Sequence, residues 1–368
     1  MTAPVPTTGE VQTMPALTAA RFFLAMGVVL FHLQLMWSWP TLEHTSLIER
    51  ARLGVDAFFI LSGFVLAHVY DRQFDTRSFS YQRFIVARLA RIYPAHLAVL
   101  AVMGLVAIAA WILGERLDPE RYSALGFLET ALMVHAWRPH SAAVEWNGPS
   151  WSLSAEWAAY LAFPVIMLVL RRRPALLLFF AALSYLVIDA GYRRWFHQPL
   201  LHAEFNLGVL RIIPSFLAGI ALRRLTVDFD WPPTRARLAT FGMTVLLLWC
   251  MHTGAAEPVV VATAGAWIVS LAASPGTIGI VGGRSAVFLG EASYAIYLVH
   301  LPAIVVWKNA RAILAGGDSS YVLPGWEVFM LVSLILIAGV ALHVVIERPA
   351  RRWIRSTWTT PRRLAEHG

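Results

Sequence analysis

The sequence predicts an all-α integral membrane protein with about ten transmembrane helices and both termini in the cytoplasm. Of its 368 residues, 58% are hydrophobic and only 14% are charged. Soluble proteins carry about a quarter charged residues, so this composition argues against a soluble enzyme. Apolar segments recur along the whole chain, and many approach the roughly 20 residues that a membrane-spanning helix needs.

Ten segments are predicted as spans, although the seventh is short. They are residues 16–37, 53–70, 94–113, 149–170, 174–191, 207–225, 238–252, 256–273, 286–307 and 326–346. With the N-terminus inside, the segments that face the cytoplasm carry 19 Lys and Arg residues, and the outward-facing segments carry 9. This excess follows the positive-inside rule and supports the orientation.

The predicted organisation is a cytoplasmic tail at 1–15, a membrane domain at 16–349 and a basic cytoplasmic tail at 350–368. The longest outward-facing segment, 114–148, is predicted to hold a short amphipathic helix at 126–137. The net charge is +8, but most arginines lie at the ends of apolar segments. That distribution is typical of membrane topology, and we expect no nucleic-acid partner.

The first span contains two residues that are costly to place in a membrane, Arg21 and His32. They are eleven positions apart, which is close to three helical turns, so both lie on one face about 16 Å apart along the axis. Ionisable residues inside a membrane helix indicate a functional site. We therefore predict a cation near the inner end of this helix and a base, His32, towards the outer end.

The segment before the third span reads RFIVARLARIYPAH, and Pro94 is predicted to open that span. Arg88 and Arg91 are three positions apart and share a helix face. Their planar guanidinium groups suit the phosphate oxygens of a ligand at the cytoplasmic surface. The alternative is that both serve only membrane topology and contacts with anionic lipid, and taken alone the segment favours this alternative.

Two carboxylates lie at the outer ends of spans. Asp56 begins the second span and either caps the helix N-terminus or orients His32. Glu156 lies inside the apolar run of the fourth span, so it should be paired or should face water. It shares a helix face with Ser152, four positions earlier.

The remaining candidates suit a hydroxyl-bearing acceptor such as a sugar. Trp151 and Ser154 flank the Ser152 position, although Trp151 is also explained as an interfacial aromatic residue. In the ninth span Tyr294, Tyr297 and His300 follow one another at intervals of three, whereas a lone histidine in a helix is usually structural. We expect no metal. The closing Glu347-Arg348-Pro349 is predicted to end the last helix with a local ion pair.

Together these segments resemble the membrane acyltransferase-3 family. Six motifs occur in the family's order between Leu17 and Pro349. They are an arginine and a histidine eleven positions apart (Arg21, His32), Arg88-x-x-Arg91-x-x-Pro94, GVDAFFILSGF, PSWSLSAEW, SYAIYLVHLP and Glu347-Arg348-Pro349. The chain is similar to the standalone form of the family, without the C-terminal hydrolase-like domain of its longer members.

The resemblance implies an O-acyltransferase that moves an acyl group, most commonly acetyl, from coenzyme A to a hydroxyl of a surface polysaccharide. It implies that His32 is the essential histidine and that Arg21, Arg88 and Arg91 handle acyl-CoA. His32 would remove the proton from the acceptor hydroxyl, and Asp56 or Glu156 would stabilise the resulting imidazolium.

The acceptor would contact residues at the outer side of the spans. These predicted residues are Trp151, Ser152, Ser154, Tyr294 and His300. The expected location is the cytoplasmic (inner) membrane. A small-molecule acceptor such as a macrolide is one alternative, and a transporter or flippase that uses the same charged residues is another.

Overall fold

The computed structural model describes residues 14–37, 44–114, 117–139, 146–227, 229, 231–274, 283–314 and 322–358. The predicted N-terminal tail and the end of the predicted C-terminal tail lie almost entirely outside these residues. Regular secondary structure in the described ranges is helical throughout, and the one β-type contact is an isolated bridge between Trp37 and Leu323.

Thirteen α-helices occur in the described residues. They are α1 (Pro15–Gln34), α2 (Leu47–Arg50), α3 (Gly54–Asp75), α4 (Tyr81–Ile112), α5 (Ala124–Ala131), α6 (Trp151–Leu170), α7 (Pro174–Phe196), α8 (Val209–Leu225), α9 (Pro233–His252), α10 (Glu257–Ala272), α11 (Arg284–Leu314), α12 (Gly325–Leu342) and α13 (Arg348–Trp358). Helix α5 covers the first half of the amphipathic helix predicted at 126–137.

Each of the ten predicted spans corresponds to one long helix. Seven helical segments of the described chain are long and apolar enough to cross a membrane. The other three predicted spans correspond to α8, α9 and α10, of which α10 is apolar but has only 16 residues. Large apolar side chains are exposed on the outside of the bundle, including Leu105, Leu168, Phe329 and Ile337 at 65–75%. Such a surface suits contact with lipid.

Helices α3 and α8 approach each other closely because each contributes a glycine to the crossing. A Cβ atom on Gly63 would lie 2.2 Å from the Phe216 carbonyl oxygen, and one on Gly219 would lie 2.0 Å from that of Ile60. Small residues at a helix crossing let membrane helices pack backbone to backbone. This crossing brings Asp56 of α3 and Arg211 of α8 within reach of each other.

Helices α1 and α11 also meet at a glycine. A Cβ atom on Gly290 would lie 1.9 Å from the carbonyl oxygen of Thr18. The close approach holds the polar face of α1 against α11 along much of its length. As a result, His32 of α1 and His300 of α11 come together although they are far apart in sequence.

Helix α4 begins thirteen residues earlier than predicted, at Tyr81 rather than at Pro94. Ser80 caps it, with its hydroxyl accepting a hydrogen bond from the Arg83 N–H at 3.4 Å. Pro94 lies inside the helix, as membrane helices tolerate when their neighbours compensate for the lost hydrogen bond. Arg88 therefore lies on a continuous helix and not in a loop.

The prediction that Glu347-Arg348-Pro349 ends the last helix is wrong. Residues His343–Glu347 form one π-helical turn, and α13 continues from Arg348 to Trp358. Pro349 follows the π-helical turn directly and lies inside the continuing helix. Glu347 pairs with Arg91 of α4, so the predicted local ion pair is a contact between distant helices.

Candidate functional site at the junction of two cavities

Two cavities meet inside the bundle and contain most of the predicted site residues. The first, with a volume of about 340 Å³, is called the arginine cavity after its lining residues Arg21, Arg88, Arg91, Arg351 and Arg355. The second, of about 390 Å³, is called the histidine cavity and is lined by His32, Arg52, Asn147, Trp151 and Arg211. Val55 and Tyr297 line both cavities, so the two meet at these side chains.

Three helices supply the guanidinium groups of the arginine cavity. Arg21 comes from α1, and Arg88 and Arg91 come from α4 as predicted. Sequence reasoning missed Arg351 and Arg355 on α13, because it ended the last helix before them. Their spacing of four residues in a polar segment was the signal that could have placed both on one helix face.

Arg88 is held by aromatic rings and not by carboxylates. Its guanidinium carbon lies 5.8 Å from the ring centre of Tyr70, 5.9 Å from that of Phe84 and 5.7 Å from that of Tyr160. Its Nε is buried without a hydrogen-bond partner. Within the described residues neither Arg88 nor Arg21 makes an ion pair or a hydrogen bond. Unpaired cations in a partly buried cavity favour the binding of an anion.

Arg91 is partly neutralised. It donates a hydrogen bond to the buried carboxylate of Glu347, which His343 also contacts at 2.8 Å. The Arg91 guanidinium lies 5.3 Å from the ring centre of Tyr294, whose hydroxyl donates to the Ile92 carbonyl oxygen at 2.6 Å. Arg91 Nη2 is buried and has no hydrogen-bond partner among the described residues. Tyr294 therefore lines the arginine cavity and not the predicted acceptor site.

Glu156 lies in the arginine cavity, not beside His32. Its Oε1 accepts hydrogen bonds from Ser62 Oγ at 2.7 Å and from the Tyr160 hydroxyl at 2.5 Å. The carboxylate is thus satisfied by two hydroxyls. The predicted role of Glu156 as the partner of the His32 imidazolium has no direct contact to support it.

His32 and His300 form a pair at the histidine cavity, with ring centres 4.9 Å apart. His32 Nδ1 lies 2.9 Å from the Val28 carbonyl oxygen and 3.3 Å from His300 Nε2. His300 Nδ1–H donates to the Tyr297 carbonyl oxygen, which leaves its Nε2 as an acceptor. His32 must then carry its proton on Nδ1, so its Nε2 keeps a free lone pair. The Val28 carbonyl oxygen and His300 Nε2 therefore orient His32 together.

Asp56 has a different partner from the one predicted. Arg211 donates to both of its oxygens, from Nε at 3.0 Å and from Nη2 at 2.6 Å, and both side chains are buried. The Arg211 guanidinium also lies 5.1 Å from the ring centre of Trp151. Asp56 therefore neutralises Arg211, and Trp151 forms a wall of the histidine cavity over that ion pair.

Ser152 and Tyr297 close the junction between the cavities. Their hydroxyl oxygens are 3.0 Å apart, and both lie within hydrogen-bond reach of the Pro149 carbonyl oxygen. Ser154 instead accepts a hydrogen bond from the Ala136 N–H at 3.2 Å and lines neither cavity. The predicted acceptor contact of Ser154 is replaced by a structural one.

Comparison with known proteins identifies the family of this chain. A family model described as an acyltransferase domain matches residues 14–348. Acyltransferase MdmB of Streptomyces mycarofaciens is 28% identical over 384 residues, covering 93% of each chain. A Staphylococcus aureus protein provisionally named an O-acetyltransferase is 22% identical over 385 residues, covering 93% of this chain and 58% of its own length. No solved structure gives a significant match. Because the family match extends over nearly all of the helical bundle, the chain belongs to the acyltransferase-3 family.

Proposed function

We propose that this acyltransferase moves an acetyl group from cytoplasmic acetyl-CoA to a hydroxyl of an extracytoplasmic or lipid-linked polysaccharide. The observation that carries the proposal is the arginine cavity, whose cations Arg21 and Arg88 have no carboxylate partner among the described residues, next to a histidine cavity that holds an oriented base. The protein would lie in the cytoplasmic membrane with both termini inside, so that the arginine cavity faces the cytoplasm.

The donor would bind with its nucleotide phosphates in the arginine cavity. Coenzyme A carries several negative charges at one end, and guanidinium groups bind phosphate oxygens through paired hydrogen bonds. Its thin pantetheine arm would then run past Tyr297 towards the histidine cavity. Movement of the Tyr297 and Ser152 hydroxyls away from Pro149 would open this passage, since their hydrogen bonds are the contacts that close it.

The chemical step would take place at His32. Nε2 of His32 removes the proton of the acceptor hydroxyl, and the oxygen attacks the thioester carbonyl carbon. The carbon–sulfur bond then breaks, and the coenzyme A thiolate leaves and receives the proton from His32. His300, 3.3 Å from His32 Nδ1, would hold the ring in this tautomer throughout. In this arrangement a neutral histidine orients His32, the role that was one of the two predicted for Asp56.

Sealed vesicles that contain the protein in one orientation test this function. Acetyl-CoA labelled in the acetyl group is supplied on the cytoplasmic face, and free thiol and acylated acceptor are measured on each side. We expect thiol on the donor side and acylated acceptor on the opposite side, with neither product in vesicles of the His32→Ala variant.

Two other results would contradict the proposal in different ways. Product made only when donor and acceptor share the cytoplasmic side would favour a small-molecule acceptor. Intact acetyl-CoA, or intact acceptor, appearing on the far side without thiol release would favour a transporter.

A further inference from the structure

Asn147 carries a buried amide that is not satisfied by the protein. The residue is 1% exposed, and neither its Oδ1 nor its Nδ2 has a hydrogen-bond partner in the described part of the chain. It lines the histidine cavity together with His32. Buried side-chain amides are almost always hydrogen-bonded, and an unpaired one destabilises the folded state.

The backbone around this amide is fixed. The Asn147 carbonyl oxygen accepts hydrogen bonds from the Ser150 N–H at 2.9 Å and from the Ser150 hydroxyl at 2.6 Å. The neighbouring Trp146 is held by a 2.8 Å hydrogen bond from its ring N–H to the Ser123 carbonyl oxygen. The unpaired amide is therefore carried by a fixed backbone at the wall of the cavity.

The cations that line the same cavity are satisfied. Arg211 is paired with Asp56, and Arg52 donates to the Glu257 carboxylate and, at 2.7 Å, to the Leu201 carbonyl oxygen. The histidine cavity therefore does not offer unpaired positive charge to an anion. The Asn147 side chain instead offers a ligand one neutral hydrogen-bond donor, Nδ2, and one neutral acceptor, Oδ1.

A ligand that uses both ends of an amide must itself donate and accept. A carbonyl oxygen or an oxyanion only accepts, and would leave Asn147 Oδ1 unpaired. Hydroxyl groups do both, and two neighbouring hydroxyls match the donor and acceptor of one amide. The geometry points to Asn147 as a specificity-determining residue that binds the acceptor through a hydroxyl adjacent to the one acylated at His32. This inference rests on the proposed function and defines its acceptor as a neutral compound with neighbouring hydroxyls.

Two probes that differ by a single hydroxyl test the inference. Purified protein is given acetyl-CoA with either trans-1,2-cyclohexanediol or cyclohexanol, and the acetyl esters are quantified. For the wild type we expect kcat/KM to be about tenfold higher with the diol, the product of a statistical factor of about two and about fivefold for one added neutral hydrogen bond. In Asn147→Leu, which keeps the size but removes both polar atoms, we expect the preference to fall to about twofold, the statistical ratio of two hydroxyls to one.

A second measurement does not depend on activity. Because Asn147→Leu removes an unpaired buried amide, its melting temperature in detergent should equal or exceed that of the wild type. Asn309→Leu, the same change at an exposed asparagine that lines neither cavity, is the matched control and should keep the diol preference.

Three results would overturn the assignment. They are a diol preference that persists in Asn147→Leu, equal losses with both probes, and a clearly lowered melting temperature, which would reveal a structural hydrogen bond. Absence of ester and of thiol release in the wild type would instead refute the proposed acetyl transfer itself, so the two failures are distinguishable.

Discussion

The arginine cavity and the histidine cavity are both lined by arginines, but they differ in how far carboxylates neutralise these arginines. In the arginine cavity Arg21 and Arg88 have no ion-pair partner among the described residues, and Arg88 rests on three aromatic rings. In the histidine cavity Arg211 is joined to Asp56 by two hydrogen bonds. The same residue type therefore prepares one cavity for an anion and stabilises the wall of the other.

This difference shows that the role of a charged residue in a membrane helix depends on whether an opposite charge neutralises it. Arg21 and Arg211 both lie within predicted spans, although a site role was predicted only for Arg21. A buried pair contributes little net charge to the cavity beside it, whereas an unpaired guanidinium retains its full attraction for a phosphate. The predictions below test this contrast, in order of decreasing effect.

The largest effect is expected in the histidine cavity, where the chemistry is placed. Changing His32 to alanine should lower acyl transfer by roughly 10²–10⁴-fold, because that is the typical contribution of a general base. Thiol release from acetyl-CoA by purified protein measures it, and His44→Ala, at an exposed histidine, is the control. A variant that keeps more than about a third of wild-type turnover would remove His32 from the mechanism.

The second-largest effect is on protein stability, which should differ between loss of the paired Arg211 and loss of Arg88. Arg211→Met leaves the Asp56 carboxylate buried without its partner, and breaking such a pair costs about 3–5 kcal/mol. Arg88→Met leaves no stranded carboxylate, so its melting temperature in detergent should stay near that of the wild type. The double change Asp56→Leu with Arg211→Met should recover much of the lost stability. Equal melting temperatures for the two methionine variants would contradict the distinction between a paired Arg211 and an unpaired Arg88.

Donor affinity should depend on the unpaired cations. Arg88→Ala should raise the KM for acetyl-CoA by roughly tenfold to a hundredfold, since it removes charged hydrogen bonds to phosphate. Added salt should reproduce part of this rise in the wild type. Arg72→Ala, at an exposed arginine outside the cavity, should leave the KM unchanged.

Arg91 provides a finer test of donor binding, because the Glu347 carboxylate already neutralises part of its charge. Arg91→Ala should raise the donor KM less than Arg88→Ala, but it should also lower the melting temperature, because it strands the buried Glu347. If neither variant changes the KM for acetyl-CoA, neither arginine binds the donor, and both serve only membrane topology and contacts with lipid.

The smallest effect is expected on α13. Arg351 lies at the rim of the arginine cavity, 4.0 Å from the Glu347 carboxylate, and contributes a partly screened charge. Arg351→Gln should raise the donor KM by less than about fivefold, as is typical of exposed ion contacts. Its neighbour Arg352 is exposed and does not line the cavity, so Arg352→Gln provides a matched control. A rise equal to that of Arg88→Ala would place α13 at the centre of the donor site.

Much of this protein was predictable from local sequence. Hydrophobic segment lengths determined the all-α membrane class and the positions of the ten long helices, because a span needs only its own residues to be apolar. Helical periodicity determined that Arg21 and His32 share one face and that Arg88 and Arg91 share another. The order of the motifs was enough to identify the family.

Only the tertiary structure decided which of these residues meet. Asp56 and Arg211 are 155 positions apart, Arg91 and Glu347 are 256 apart, and His32 and His300 are 268 apart. Periodicity says which face of a helix a residue occupies, but it does not say which helix lies opposite. Close crossings such as those at Gly63 and Gly290 select the neighbouring helices, and they thereby decide whether each buried charge is neutralised or left for a ligand.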